Sequence, residues 1–338
     1  MMRLPPFTYL QSRTVADAVK YLGDHAADAM LVAGGTDLYP NMKRRQFESK
    51  ILVGIGGVAE LRGVRGSARD GFTVGAGTTL AALARHPEVV RHYPGLATAA
   101  GLVSSPQLRN MGTIGGNLCV DTRCNYYNQS FAWRKAIGFC MKKDGDICLV
   151  APGSPRCWAV SSSDTAPVAW SLGANVRLVG PAGERVIPTE ALYRDDGIQY
   201  LAKQPNEILT ELILPPPEGR RSAYMKLRRR GSFDFPVLGV AVSVRLDGDT
   251  VREARIVLGA VASTPRHATK ASAALVGRRL THDAIDAAAE LAATPSKPLD
   301  NTDFTHPYRK KMTRVFVARA LRRIAGLAAS ARVEEEID

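Results

Sequence analysis

The amino-acid sequence predicts an α+β protein in three successive units, and three features carry that prediction. Apolar runs of strand length alternate with helical spacings from the N-terminus onward. Three consecutive prolines, Pro215–Pro217, fit neither a central strand nor a helix interior and mark a boundary. Beyond them, three alternating runs precede a tail rich in Ala, Leu and Arg, the pattern of a sheet backed by helices. The units are expected over residues 1–55, 56–217 and 218–338, with a cysteine-bearing insertion at about 120–160 in the second.

In the first unit FTYLQ reads as a short strand and TVADAVKYLGDH as a helix capped by Thr14. AMLVAGG is a strand ending in glycine, and SKILVGIGGV is a second apolar strand. In the second unit GFTVGAGTTLAALARHP predicts strand, loop and helix. VVRHYPGLATAAGLVSSPQLRN is mostly helical until the glycines of MGTIGGN interrupt it. DTAPVAWSLGANVRLVG is a helix and then a strand, and ERVIPTEALY and EILTELILPPP continue as mixed elements. In the third unit SAYMKLRRR, PVLGVAVSVRLDGD and VREARIVLGAVAST are strands, LDGDTV is a hairpin turn, and helix begins at about Thr281. The basic run Lys226–Arg230 is expected to be a solvated strand end rather than a phosphate-reading patch.

Lys and Arg number 45 against 32 Asp and Glu, a formal net charge of +13. That balance suits nucleic acid or an acidic protein partner. No helix-turn-helix, zinc finger or RNP-like aromatic pattern supports nucleic acid. The opening MMRLPPFTYLQSRT has no apolar core of a secretory signal, and no window holds about 18 uninterrupted apolar residues. The expected location is therefore the cytoplasm, without membrane insertion, where thiols stay reduced.

Four of the five cysteines, Cys124, Cys140, Cys148 and Cys157, fall in one segment with spacing C-x15-C-x7-C-x8-C. A reducing compartment and an odd cysteine count disfavour disulfides. Any one cysteine can be a small buried hydrophobe, but such clustering favours metal ligation. Zinc usually takes paired knuckles, absent here, whereas four separated thiolates can hold a [4Fe–4S] cube. Spacing alone leaves both open.

Two glycine turns offer anion sites. LVAGGTDL, Leu31–Leu38, places paired glycines after an apolar strand, where successive N–H groups can form an anion-binding concavity. GTIGGNL, Gly112–Leu118, repeats the chemistry and adds the amide of Asn117. Together they would clasp a pyrophosphate; separately they are ordinary turns. Neither matches the dinucleotide fingerprint or a Walker loop. Asp164, in SSSDTAP, is either a carboxylate near a helix start or a plain N-cap.

LVAGGTDL, MGTIGGNL, the Ser163-Asp164 pair, NEILTELILP and YMKLRRR occur in the order seen in FAD-binding subunits of the xanthine oxidase (molybdenum hydroxylase) family, which the sequence resembles over essentially its whole length. The cysteine insertion is similar to that of flavoprotein β subunits of the 4-hydroxybenzoyl-CoA reductase type, whose inserted loop ligates a [4Fe–4S] cluster. The resemblance implies a two-part FAD-binding region of the vanillyl-alcohol-oxidase type and a C-terminal α+β domain. It places Leu31, Val32, Ala33, Gly34, Gly35, Thr36, Asp37 and Leu38, with Thr113, Ile114, Gly115, Gly116 and Asn117, on FAD, chiefly its pyrophosphate. Asp164 would bond the sugar portion, and Leu209 and Lys226 would lie near the flavin. Cys124, Cys140, Cys148 and Cys157 would ligate the cluster, and Cys119 would be a packed free thiol.

The same resemblance implies electrons passing from ferredoxin through [4Fe–4S] and FAD to a small [2Fe–2S] subunit and a large molybdenum-cofactor subunit, in a dimer of heterotrimers. There 4-hydroxybenzoyl-CoA would become benzoyl-CoA. No acid–base or nucleophile constellation assigns a catalytic residue to this chain, so substrate chemistry falls to a partner. The insert's aromatics, Tyr126, Tyr127, Phe131, Trp133 and Trp158, would wall the cluster from solvent, and the net positive charge would steer an acidic ferredoxin. The alternatives are a hydroxylase flavoprotein that oxidises its substrate, and a zinc-stabilised binding module without redox chemistry.

Overall fold

The computed structural model describes residues 3–327. The first two residues and the last eleven of the predicted C-terminal unit lie outside the described residues. Five elements open the chain: β1 (Thr8–Gln11), α1 (Val15–His25), β2 (Ala29–Val32), α2 (Leu38–Lys43) and β3 (Ile51–Gly54). The strands form a parallel sheet in the order β1-β3-β2. Thr14 Oγ1 accepts from the N–H of Asp17 at 3.0 Å, the cap the sequence predicts. Helix α1 turns Ala18 and Leu22 onto Val53, and Ile208 from a later strand joins the same cluster. The first sheet is thereby fastened to the second.

The second sheet combines β4 (Val64–Ser67) and β5 (Gly71–Gly75) with β6 (Asn175–Gly180), β7 (Gly183–Pro188) and β8 (Ile208–Leu214). It is antiparallel throughout, in the order β4-β5-β8-β6-β7. Between β5 and β6 run α3 (Leu80–Arg85), α4 (Pro87–His92), α5 (Pro94–Leu102), α6 (Pro106–Arg109), α7 (Ile114–Leu118), α8 (Phe131–Ala136) and α9 (Thr165–Leu172). The helical region ends at MGT as expected, but Gly115 and Gly116 do not keep it broken. The segment restarts as α7 because Thr113 caps it, its hydroxyl accepting from Gly116 N at 3.1 Å.

The third sheet, ordered β12-β11-β10-β9, comprises β9 (Arg221–Leu227), β10 (Leu238–Asp247), β11 (Thr250–Gly259) and β12 (Arg266–His267). Gly248, at φ +58, makes the predicted hairpin turn, with Asp247 opposite Thr250. Helices α10 (Thr269–Leu275), α11 (His282–Ala292) and α12 (His306–Ala325) follow. Helix thus begins at Thr269 rather than near Thr281. Strand β10 shows why its sequence is apolar without a break. Val240, Val242 and Val244 bury against the C-terminal helices, while Ala241 faces the core that also holds α5 and α9. A sheet covered on both faces loses the usual polar alternation, and each fully buried valine contributes about 1.5–3 kcal/mol. No helix among the described residues is long and apolar enough to cross a membrane.

Candidate functional site

After β2 the chain turns through 33–37 into α2. Gly35 adopts φ +67, the left-handed region glycine occupies without strain. Gly34 is required by contact, since a Cβ there would stand 2.0 Å from the carbonyl oxygen of Met111. The two glycine turns therefore abut, and a Cβ on Gly112 would lie 3.4 Å from Thr36 Oγ1. Among the described residues, the backbone N–H groups of Gly34, Gly35, Thr36, Asp37 and Leu38 find no acceptor in the chain. Five successive unpaired donors form a nest suited to an anion.

These donors face a cleft of about 870 Å³ lined by both turns and by Asp121, Arg123, Asp164, Tyr200, Leu209 and Phe235, among others. That volume is at the upper end for small-molecule and cofactor sites. Leu31, Val32, Ala33, Gly34, Gly35, Thr36, Asp37 and Leu38 all line it, as do Thr113, Gly115, Gly116 and Asn117. Ile114 does not; it is fully buried in the main core.

The second turn holds less of the expected chemistry. Ile114 N donates to Thr78 O at 3.0 Å, Gly115 N to Ala76 O at 2.9 Å, Gly116 N to Thr113 Oγ1, and Asn117 N to Thr113 O at 2.9 Å. Those amides are spent within the protein, so they are not free to bind a ligand, unlike those of the first turn. Asn117 Oδ1 accepts from Ser163 Oγ at 2.9 Å, Thr165 N at 3.1 Å and Thr165 Oγ1 at 2.7 Å, clamping α7 to the start of α9. Its Nδ2 has no acceptor among the described residues and remains on the cleft wall.

Asp164 precedes α9 but makes no capping bond; Ser163 does, accepting from Ala166 N at 3.0 Å. The carboxylate instead accepts from Tyr224 OH at 2.8 Å and Lys226 Nζ at 3.0 Å. Burial pushes its pKa up, opposed by the Lys226 charge, and burial pushes that ammonium down. Lys226 also donates to Leu102 O at 3.0 Å. It is no solvated strand end: its side chain is 1% exposed and stands behind Asp164 rather than on the cleft. Only Arg229 and Arg230 of the basic run are exposed as predicted.

The insertion leaves the scaffold at Arg123 and returns at Val160, and these two exchange backbone bonds of 2.9 and 2.7 Å. Within it Cys124, Cys140, Cys148 and Cys157 are buried, free, and line one small cavity with Tyr126, Tyr127, Met141, Lys142, Leu149, Val150 and Ala159. Burial and the neighbouring thiols push Cys124 up to about 12, against backbone N–H groups of Tyr126 and Tyr127. Burial likewise pushes Cys157 up to about 11, opposed by the N–H of Ala159, at 3.4 Å from its sulfur, and by the charge of Lys142. Among the described residues, no group of three or more His, Cys, Asp or Glu is disposed to hold a metal ion.

The aromatic wall is partly corrected. Tyr126 and Tyr127 line the sulfur cavity, but Phe131 and Trp133 are 43% and 40% exposed, and Trp158 stacks under Arg156, 3.6 Å from the guanidinium carbon. Aliphatic Met141, Leu149 and Val150 complete the wall instead. Cys119 stands apart from the other thiols, on the cleft wall, its pKa raised by burial.

Segment 119–124 separates the two cavities. Cys119, Val120, Asp121 and Arg123 face the cleft and Cys124 the sulfurs. Arg123 donates to Asp37 Oδ1 and to Asn41 Oδ1 at 3.3 Å, and its guanidinium lies 4.3 Å over the ring of Phe235. Burial raises the pKa of Asp37 and Arg123 opposes it. Lys142, from the sulfur side, donates to Asp121 Oδ1 at 2.8 Å, Thr122 Oγ1 at 2.6 Å and Gly197 O at 2.5 Å. Sequence reasoning missed Asp121, Arg123 and Lys142. Their one signal was adjacency to cysteines in DTRC and CMKK.

The chain matches two family models, the FAD binding domain in molybdopterin dehydrogenase over residues 5–217 and the CO dehydrogenase flavoprotein C-terminal domain over residues 222–324. It is 32% identical to the carbon monoxide dehydrogenase medium chain of Hydrogenophaga pseudoflava, covering 94% of this chain and 96% of that one. It is also 32% identical to the aldehyde oxidoreductase FAD-binding subunit PaoB of Escherichia coli, over 85% and 92% of the two chains. A solved structure of carbon monoxide dehydrogenase from Hydrogenophaga pseudoflava superposes with a TM-score of 0.79 at 31% identity, covering 97% of this chain and 100% of that one. The fold expected from the resemblance is the one observed, and a bare zinc-stabilised module is set aside. A cleft walled by free amides, two antiparallel-rich domains behind it and these likenesses together make the chain an FAD-binding subunit of the molybdenum hydroxylase family, of the carbon monoxide dehydrogenase medium-chain type.

Proposed function

We propose that this subunit passes electrons between a [4Fe–4S] cluster on Cys124, Cys140, Cys148 and Cys157 and the FAD of the cleft, and that substrate is transformed on a partner chain. The observation that carries this reading is the meeting of four buried, unpaired thiols at one cavity, whose lining adjoins that of the cleft through the successive residues Arg123 and Cys124 and the Lys142–Asp121 bond. Four thiolates complete a cuboidal cluster and leave no open position for water or substrate. When bound, the cluster supplies one-electron steps and FAD both one- and two-electron steps.

The chain's own residues hold and insulate the cofactors. The amides of 34–38 receive the pyrophosphate, Asn117 Nδ2 donates to the cofactor, and Asp164 takes a sugar hydroxyl on a lone pair that Tyr224 and Lys226 leave free. Leu209 adds apolar surface. Burial pushes the Cys124 and Cys157 thiols up, and all four cysteines would have to give up their protons to hold iron.

In the fuller reading ferredoxin reduces the cluster, and electrons continue from FAD to a small [2Fe–2S] subunit and a large molybdenum subunit in the cytoplasm, arranged as a dimer of heterotrimers. There 4-hydroxybenzoyl-CoA takes up two electrons and two protons, loses its hydroxyl as water and leaves as benzoyl-CoA. The resemblance of the cysteine insertion supports this substrate. A second reading, oxidation of a substrate with electrons leaving through the flavin, is supported by relatives named as dehydrogenases of carbon monoxide and xanthine. Assaying the purified complex for reduction of 4-hydroxybenzoyl-CoA by a strong reductant separates the two. Anaerobic iron, sulfide and flavin analysis tests the core of the proposal. Cys140→Ser should lose iron and keep FAD; a wild-type complex with flavin but no iron or sulfide on this chain would refute it.

A further inference from the structure

We infer that the buried Lys142–Asp121 pair sets the reduction potential of the sulfur centre from its place in the wall between the two cavities. The inference rests on the cluster reading above. Lys142 lines the cysteine cavity and Asp121 lines the cleft, so the pair spans the partition with its positive end toward the sulfurs. The two side chains are 5% and 7% exposed and 2.8 Å apart. The ammonium is held without freedom to turn: Asp121, Thr122 and Gly197 take its three donors, and the rings of Tyr127 and Tyr200 lie 4.8 and 5.6 Å away. None of its donors goes to sulfur, so it acts on the centre through space.

A centre with four thiolates becomes more negative by one unit when it takes an electron. A fixed cation stabilises that added charge, and a carboxylate in the same wall opposes it. Lys142 is thus a positioning residue for charge, touching neither substrate nor reacting atoms. For a unit charge on the order of 10 Å from the added electron at an effective dielectric of about 20, the reduced-to-oxidised ratio changes about tenfold. For a one-electron couple that is about 59 mV.

The test is a redox titration of the intact complex, monitored by the spectrum of the reduced cluster, with iron and FAD content measured alongside. Lys142→Met should shift the potential negative by about tenfold in that ratio, and Lys142→Arg, which keeps the charge, should restore it. Asp121→Asn, which leaves the ammonium unopposed, should shift it positive. Opposite signs are the diagnostic, because a merely structural role would disturb both variants alike. Should Lys142→Met lose its iron, Asp121→Asn carries the test alone. Potentials unchanged in iron-replete variants would overturn the inference and leave the cluster reading standing. A wild-type complex without iron would remove both.

Discussion

The contact between the two glycine turns gives a sharp prediction at Gly34. An alanine Cβ there would stand 2.0 Å from the oxygen and 2.5 Å from the carbon of the Met111 carbonyl. Carbon and oxygen settle at about 3.3 Å at closest, so the turns must part by roughly 1.3 Å. Overpacking costs about 1–3 kcal/mol, and the upper end applies because the obstacle is backbone, not a side chain that can swing away. The same movement lifts the amides of 34–38 from the anion. Weakening one charge-assisted bond worth about 1.5–3 kcal/mol raises the FAD Kd about 10- to 100-fold. Flavin fluorescence titration of the flavin-stripped protein measures this. Gly101→Ala in α5 is the control, since its Cβ would meet only Ala84 Cβ at 3.7 Å; FAD affinity should hold and stability rise by up to about 1 kcal/mol. Gly34→Ala binding FAD as the wild type does would refute the close approach as the reason for glycine.

Three further outcomes follow from other contacts. A Cβ on Gly197 would meet Cys157 Sγ at 2.6 Å and Ala159 N at 2.8 Å, so Gly197→Ala should deplete iron while FAD stays, and full iron content would count against it. Arg123→Met strips Asp37 of its ion pair and Phe235 of its cation; with Asp37 still partly wetted, the expected loss is about 2–3 kcal/mol by chemical denaturation, partly recovered by adding Asp37→Asn. Arg185 donates to Glu207 at 2.7 and 2.8 Å and holds its carboxyl below the ordinary glutamate range. With the folded pKa depressed, that stabilisation exists above the ordinary value and fades as pH falls through the lowered one. Arg185→Met should therefore flatten the acid-side decline in stability, and an unchanged slope would argue against the coupling.

Local patterns in the sequence predicted what local physics decides. Thr14 caps α1, the proline run separates two sheets, and the spacing of apolar residues gives β9 to β11. The cysteines were legible as a group because nothing else in the chain explains their clustering. What escaped was set by partners distant in sequence. The amides of 114–117 are consumed by Ala76, Thr78 and Thr113, so similar glycine sequences leave free donors in one turn and spent donors in the other. Lys226 read as exposed because its counter-ion, Asp164, lies 62 residues away. Lys142 and Asp121 carried no motif at all; only folding reveals that both side chains enter one partition.

The reciprocal bonds between Arg123 and Val160 have a corollary. A neck closed on itself lets everything beyond it lengthen or shorten with small entropic penalty, because closure cost grows only slowly with loop length. A flavoprotein with a short connection at that place could be extended there with the flavin domain left undisturbed. The converse holds for engineering: replacing residues 124–159 by a brief linker should leave the frame that carries the cleft unaltered.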